Sequence, residues 1–210
     1  MTDTVRFWDR LAPKYAAAPI RDTQAYEYTL ERTRSYLSGT DKVLEIGCGT
    51  GSTALLLAGD VAEFTGTDIS PEMTRIALEK AQGQQIENLR FEVRSADESA
   101  RGAAGMDVVM GFNILHLTDD PEGILKVLSR EMASGSLLIT KTPCLAEPSI
   151  GFKRFLFRAI IPVMQVFGKA PGLRYLSFRE LEAMTADAGF KIIETASYPA
   201  MSRYIVARRT

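Results

Sequence analysis

Residues that bind metals or form disulfides are scarce in this chain of 210 residues. It has one histidine, His116, and two cysteines, Cys48 and Cys144. A single histidine argues against a zinc site, because such sites draw on several histidines and cysteines together. Two cysteines give neither a disulfide framework nor a metal-ligand spacing, which is typical of a reducing compartment. We therefore expect no bound metal and a cytoplasmic location.

Long apolar runs and a large net charge are also missing. The N-terminus is acidic and amphipathic with no signal-like apolar core, and no stretch reaches the length of a membrane span. The net charge of −1 provides no overall field that would attract nucleic acid. There are no repeats or linkers, so we predict one domain over residues 1–210, with a small molecule rather than nucleic acid as its partner.

The most informative stretch runs from Lys42 to Gly51 and precedes an apolar segment that ends at Leu57. A short apolar run containing one acid, Glu45, predicts a buried strand. The glycines that follow at every second position allow a tight turn and a close backbone approach to a ligand; they are Gly47, Gly49 and Gly51. Ser52 or Thr53 is predicted to cap the next helix. This order of elements opens a nucleotide-binding α/β fold.

The acid in this strand helps to decide which nucleotide is bound. Dinucleotide sites use G-x-G-x-x-G/A, which fits here only if the loop begins two residues late, at Gly49. A carboxylate from Glu45 at the mouth of the strand would repel a pyrophosphate, yet it suits a ligand with an ammonium and a sulfonium group. S-adenosylmethionine carries both and has no phosphate. A nicotinamide-dependent oxidoreductase is the rival enzyme class.

At this point the stretch Val43–Gly51 resembles motif I of the class I S-adenosylmethionine-dependent methyltransferases, and Asp68–Met73 resembles their second motif. The resemblance implies a Rossmann-like, doubly wound α/β fold with a seven-stranded, mostly parallel sheet whose last strand is antiparallel. It also implies S-adenosylmethionine as the cofactor. The cofactor-binding residues would be Glu45, Gly47, Cys48, Gly49, Gly51, Asp68, Ile69 beside the adenine, and Met73.

Further strands are predicted at Glu63–Asp68, Leu89–Val93, Met106–Asn113 and Ser136–Thr140. Asp68 ends the first of these, where a carboxylate can accept hydrogen bonds from two ribose hydroxyls. After the Leu89–Val93 strand, Ala96 and Asp97 stand where the resembling family places an acid that faces the adenine amino group. The alternative for Asp97 is a helix N-cap.

The loop after the Met106–Asn113 strand is predicted to line the reaction cavity, because ligands bind at the carboxyl ends of parallel strands. Asn113 would contact the cofactor there. His116 is the candidate general base, since an unperturbed pKa near 6.5 suits proton transfer; a packing role between Leu115 and Leu117 is the alternative. The following segment, Asp119–Pro121, resembles ubiquinone- and menaquinone-type small-molecule methyltransferases.

Two helices are predicted before the first strand, at Thr4–Ala18, closed by Pro13 and Pro19, and at Thr23–Leu37. In the resembling family such a segment often covers the cofactor and substrate. Tyr15 would then close over the ligand, with aromatic packing as the alternative.

The least standard part is residues 141–177. Its centre, 150–167, has apolar residues at helical spacing, and residues 148–179 contain six basic side chains and no acidic one. Three interpretations stay open: a lid over an apolar substrate pocket, a basic amphipathic helix resting on an anionic membrane, or a dimer contact. The oligomeric state is not predicted.

The chain is therefore divided into a helical cap (1–39), a cofactor-binding core (40–140), an insertion (141–177) and a C-terminal helix and strand pair (178–210). Ser177 and Glu180 predict a capping box for that helix. The predicted function is methyl transfer from S-adenosylmethionine to an oxygen or carbon of a small apolar or amphipathic acceptor. The alternatives are a membrane-peripheral methyltransferase acting on a lipid and a cofactor-binding protein without turnover.

Overall fold

Seven strands form one sheet in the computed structural model, which describes residues 3–210. The strands are β1 (Lys42–Ile46), β2 (Glu63–Asp68), β3 (Leu89–Val93), β4 (Val108–Phe112), β5 (Leu137–Pro143), β6 (Phe190–Ala196) and β7 (Ser202–Arg209). Their spatial order is β3-β2-β1-β4-β5-β7-β6. Strands β1 to β5 are parallel, and β7 is antiparallel to both of its neighbours. The predicted sheet, with its antiparallel last strand, is confirmed.

Helices cover both faces of this sheet. They are α1 (Asp3–Ala17), α2 (Thr23–Arg34), α3 (Ser52–Leu57), α4 (Pro71–Gly83), α5 (Ala96–Arg101), α6 (Pro121–Glu131), α7 (Lys153–Val166) and α8 (Phe178–Asp187). Side chains alternate along the strands, so that Val43 packs with α2, α3 and α4, and Leu44 packs with α5, α6 and α8. The result is a three-layer, doubly wound fold whose parallel strands end at one edge.

Local signals placed several elements correctly. Strands β2 and β3 have the predicted bounds, and Ser70 caps α4 by accepting a hydrogen bond from the Met73 N–H at 3.1 Å. Ser177 and Glu180 form the predicted capping box of α8. These features depend on residues within one turn of each other, which is why the sequence predicts them.

Other predicted details were wrong. Pro13 lies inside α1 and does not close it. The N-cap of α3 is Gly51 in a left-handed conformation, neither Ser52 nor Thr53. Strand β5 continues to Pro143, because its last residues pair with β7. The insertion therefore starts three residues later than predicted.

The insertion forms α7, but its predicted apolar face does not cover a pocket. The six residues of that face are all exposed; they are Phe152, Leu156, Ala159, Ile160, Val163 and Phe167. No helix within residues 3–210 is long and apolar enough to cross a bilayer.

Candidate active site

The glycine loop joins β1 to α3, and its last glycine lies close against β3 and α4. A Cβ on Gly51 would lie 2.6 Å from Cζ of Phe91 and 2.9 Å from Cβ of Ala77. Only glycine fits there, because the backbone is also left-handed, with φ +75°. At Gly49 the space is open: within 4 Å a Cβ would meet only the Tyr15 ring, at 3.7 Å. The backbone at Gly49 is thus the part of the loop that a ligand can approach.

Asp68 ends β2 directly beside this loop. One carboxylate oxygen accepts a hydrogen bond from the Gly49 N–H and the other from the Ser70 N–H, both at 2.9 Å. Burial raises the pKa of the Asp68 carboxyl, while these two bonds oppose the rise. A carboxylate has about four acceptor positions, so these bonds do not use all of them. The side chain is therefore held at the sheet edge with acceptor capacity left for hydroxyl donors.

Glu45 lies in β1 and is almost fully buried, with 3% of its surface exposed. Its Oε2 atom has no hydrogen-bond partner among the described residues. Burial, and then the charge of Asp68, raise the pKa of this carboxyl to about 8. A buried acceptor oxygen without a donor is costly, so this atom is suited to a ligand that brings a cationic N–H group.

Helices α1 and α2 cover these two acids. Tyr15 is half-exposed, and its ring would lie 3.7 Å from a Cβ on Gly49; burial and the nearby charges of Glu45 and Asp68 raise the pKa of its hydroxyl. From α2, the Tyr26 hydroxyl lies 3.4 Å from Oγ1 of Thr53 in α3. Tyr15 thus lies beside the glycine loop, and its closing over a ligand stays a prediction.

A polar contact fastens α1 to α4. The Asp9 carboxylate accepts hydrogen bonds from the Ser70 hydroxyl at 2.6 Å and from the Glu72 N–H at 3.2 Å. It thereby satisfies one of the free N–H groups in the first turn of α4. Sequence reasoning missed Asp9, since it pairs with residues more than sixty positions away.

The remaining predicted cofactor residues lie around this edge in different environments. Ile69 is half-buried directly after Asp68, and Met73 is buried in α4. Cys48 is buried in the loop, and burial raises the pKa of its thiol well above the usual value. The thiol is therefore neutral and a poor nucleophile.

Ala96 and Asp97 follow β3 in the first turn of α5. Ala96 lines a small apolar cavity with Ile46 and Ile114, and Asp97 is exposed at the same edge of the sheet as Asp68. The alternative that Asp97 caps α5 is wrong, because the N-cap is Ser95 in a capping box with Glu98.

The loop after β4 carries Asn113 and His116. Asn113 is exposed with φ +57°, and its N–H donates a hydrogen bond to the Lys141 carbonyl at 2.7 Å. His116 is buried, and its Nδ1 atom has no partner among the described residues. Burial lowers the pKa of His116 to about 4. The argument from an unperturbed pKa was thus wrong: the imidazole is neutral at pH 7 but a weak base.

Residues 37–159, more than half of the chain, match the family described as a methyltransferase domain. The chain belongs to this family. Two relatives are a malonyl-[acyl-carrier protein] O-methyltransferase of Paenibacillus sp. (28% identical over 188 residues, 84% of this chain) and a ubiquinone biosynthesis O-methyltransferase of Psychrobacter arcticus (29% over 177 residues, 80% of this chain). The chain spans 66% of the length of each relative, just under two thirds.

Solved methyltransferases share the fold of this methyltransferase domain. Magnesium protoporphyrin IX methyltransferase from Synechocystis PCC 6803, with bound SAH, matches with a TM-score of 0.68 at 21% identity, over 99% of this chain and 95% of that one. A methyltransferase from Haloferax volcanii, in complex with the Trm112 activator, matches with a TM-score of 0.75 at 16% identity, over 98% and 97%. The Glu45 oxygen beside Asp68, unpartnered among the described residues, suits a ligand that carries an ammonium group and a ribose, as S-adenosylmethionine does.

One residue of this methyltransferase domain was missed by sequence reasoning. Lys141 is 9% exposed at the carboxyl end of β5, and its ammonium donates a hydrogen bond to the Thr29 hydroxyl of α2 at 2.9 Å. Burial lowers its pKa, an effect that the charge of Asp22 opposes. Register pairs Lys141 with Phe112 of β4, one position before the loop that carries Asn113. The ammonium therefore lies beneath α2, at the carboxyl edge of the sheet.

Among residues 3–210, no group of three or more histidine, cysteine, aspartate or glutamate side chains is arranged to hold a metal ion. This edge presents the carboxyl groups of Glu45, Asp68 and Asp97, the neutral imidazole of His116, the buried ammonium of Lys141 and the backbone of the glycine loop.

Proposed function

We propose that this protein is a cytoplasmic methyltransferase that moves the methyl group of S-adenosylmethionine to an oxygen atom of a small, amphipathic acceptor. The observation that carries the proposal is the buried Glu45 carboxylate, whose Oε2 atom has no partner among the described residues and lies beside Asp68 under Tyr15. This combination suits a cationic nucleoside and is hostile to a pyrophosphate, which argues against a nicotinamide cofactor.

Each residue at the edge then has a proposed role. Glu45 attracts the cofactor's ammonium, and Asp68 accepts hydrogen bonds from the ribose hydroxyls. The exposed Gly49 backbone, together with the rest of the loop, lets the cofactor approach closely. Ile69, Met73, Ala96, Asp97 and Asn113 surround the adenosine and methionine portions. Tyr15 excludes water from above.

The protein's contribution to the reaction is mainly orientation. Methyl transfer is an in-line displacement in which an acceptor lone pair bonds to the methyl carbon as the carbon–sulfur bond breaks. His116 is proposed to contact the acceptor through its free Nδ1 atom rather than to act as a strong base, since burial lowers its pKa to about 4. An acceptor oxygen that is already acidic suits such a site.

Lys141 supports an acceptor with an anionic oxygen. In the folded chain its ammonium is buried and donates a hydrogen bond to a neutral hydroxyl, that of Thr29. Strand β5 lies two strand spacings from β1, about 10 Å across the sheet, so the ammonium is within the length of a small acceptor from the cofactor site. We propose that Lys141 positions a carboxylate or phenolate. Two relatives named O-methyltransferases support oxygen as the methylated atom.

Titration calorimetry with S-adenosylmethionine tests the cofactor site. We expect Asp68→Ala to weaken binding at least about tenfold, because the ribose hydroxyls lose a charged acceptor. Glu131→Gln, an exposed acid at the end of α6, serves as the control and should bind as the unmodified protein does. Equal affinity for Asp68→Ala and the control would remove the ribose role.

The acceptor is identified by supplying methyl-labelled cofactor with cell extract and finding the labelled product by mass. A labelled ester or aryl ether supports the proposal, and a labelled amine or thioether contradicts it. Failure to label any product would favour the alternative of a cofactor-binding protein without turnover.

A further inference from the structure

Helix α7 presents an apolar surface to solvent that the fold does not use. Eight of the fifteen exposed large hydrophobic side chains of the described residues lie between 152 and 167. They are Phe152, Phe155, Leu156, Ile160, Val163, Met164, Val166 and Phe167, and we call them the α7 face. None of the helix's own side chains is buried. A contiguous apolar patch of this kind on a protein surface marks an interaction site.

The helix is held so that this face points outward. Its half-buried side chains follow one line, at Arg154, Phe157, Ile161 and Gln165, which is a separate stripe of the helix. Along that side, Nε2 of Gln165 donates a hydrogen bond to the Pro171 carbonyl at 2.7 Å, and the Tyr175 hydroxyl donates one to the Phe157 carbonyl at 3.3 Å. The α7 face is thus displayed by a docked helix.

Contacts with the rest of the chain reinforce this orientation. Directly after α7, the Gly168 carbonyl accepts a hydrogen bond from the Arg10 guanidinium of α1 at 2.8 Å. The guanidinium of Arg158 stands over the Tyr175 ring at 5.7 Å. The helix is therefore attached to the cover of the cofactor site by the side opposite its apolar face.

The distribution of charge indicates which kind of partner the α7 face can bind. Residues 148–179 contain six basic side chains and no acidic one. The chain as a whole carries −1, so the residues outside this segment carry −7. An anionic surface would therefore attract this part of the molecule and repel the remainder, which sets one orientation.

Basic side chains also accompany the apolar face. Lys153 is exposed on the same side of α7, and Lys169 follows the helix. In an amphipathic helix that lies in a bilayer surface, apolar side chains enter the acyl boundary and basic ones reach the headgroups. Fourteen residues span about 21 Å, which is less than the roughly 30 Å hydrocarbon core, so the helix would lie in the surface.

A second copy of the chain is the less suitable occupant. In a symmetric dimer the same patch meets itself, which would bring two segments with six basic side chains each into contact. We propose that the α7 face docks this protein onto an anionic lipid bilayer, with α7 lying parallel to the membrane plane. The proposal stands apart from the methyl-transfer activity, since its evidence lies outside the carboxylate site.

Vesicle co-sedimentation tests the proposal on the full chain. We expect the protein to bind vesicles of phosphatidylcholine with 30 mol% phosphatidylglycerol at least tenfold more tightly than pure phosphatidylcholine, and to lose most of this preference in high salt. A double variant, Phe155→Ser with Val163→Ser, should lose at least tenfold in affinity. Ile193→Ser, which removes a similarly exposed apolar side chain from β6, should bind as the unmodified protein does.

A charge variant separates lipid attraction from general stickiness. Lys153→Gln with Lys169→Gln should reduce binding to the anionic vesicles severalfold and leave the weak binding to phosphatidylcholine unchanged. Affinity for S-adenosylmethionine, measured on every variant, reports whether the fold is intact. Equal vesicle binding by the unmodified protein and the apolar double variant would overturn the proposal. So would a dimer by light scattering that the double variant dissociates, in the absence of vesicle binding.

Discussion

Glu45 offers the most direct test of the cofactor site, because calorimetry can count the proton that its carboxyl group releases when the cofactor binds. Burial, reinforced by Asp68, raises the pKa of its carboxyl to about 8. At pH 7 the group is therefore about 90% protonated in the free protein. If it faces the cofactor's ammonium, binding stabilises the carboxylate and releases about 0.9 proton at pH 7, falling to about 0.1 at pH 9.

The measurement is calorimetric titration of S-adenosylmethionine in buffers of different ionisation enthalpy, with Glu45→Gln as the variant and Glu131→Gln as the control. The difference in proton release between the unmodified protein and Glu45→Gln removes the contribution of the ligand's own amine. We expect that difference to be about 0.9 at pH 7. Glu131→Gln should release as many protons as the unmodified protein. A difference below about 0.2 at pH 7 would refute the reasoning.

The same group predicts how stability depends on pH. The folded pKa lies above the usual 4.5, so the folded state holds the proton more tightly than the unfolded state. Stability from this group is complete below pH 4.5 and is lost as the pH rises through about 8, by on the order of 5 kcal/mol in total. Urea unfolding of the free protein at pH 6 and pH 9 should show the part of this loss that falls between those pH values, about 2.7 kcal/mol, and Glu45→Gln should not show it.

Three further predictions concern the loop, the imidazole and the ammonium. Gly51→Ala should lower the free energy of unfolding in urea by more than about 2 kcal/mol, because its Cβ would meet Phe91 at 2.6 Å. The control Gly105→Ala, which has a similar φ but no heavy atom within 4 Å of its Cβ, should cost about 1 kcal/mol. Equal costs would contradict the packing argument. His116→Ala should lower kcat by about tenfold to a hundredfold and leave the cofactor affinity unchanged. As the pH falls from 6.5 to about 4, the unmodified protein should lose roughly 3 kcal/mol of stability through protonation of the buried imidazole, and the variant should not show this loss. An unchanged kcat would exclude a role at the acceptor. Lys141→Gln should raise the KM for the identified acceptor at least about tenfold without changing the affinity for the cofactor; a parallel loss of both would mark Lys141 as structural.

The sequence predicts the cofactor side of this site well because its signals are local. Gly47 to Gly51, the acid in β1 and the acid that ends β2 all follow from strand patterns and turn residues within a few positions of each other. The topology then brings Glu45 and Asp68 to adjacent strands, as parallel pairing requires.

The acceptor side was harder to predict because its contacts are distant in the chain. Lys141 belongs to β5 because the strand pairs there with both neighbours, and its register partners are Phe112 of β4 and Tyr204 of β7. Its polar partner, Thr29, is more than a hundred residues away. The pKa of His116 likewise depends on burial that no local pattern reveals. Helical periodicity identified α7, but periodicity alone does not tell which side of a helix meets the protein.

The contact between Asp9 and the first turn of α4 has a consequence for how the spent cofactor leaves. It fixes the first half of α1, whereas Tyr15 lies in the last turn, beyond Pro13. Pro13 lacks the N–H that would donate the helical hydrogen bond to the Asp9 carbonyl. The helix is thus weakest between its Asp9 contact and Tyr15. We therefore expect product exchange to need movement of the last turn of α1 alone, while the first half of the helix stays bound to α4.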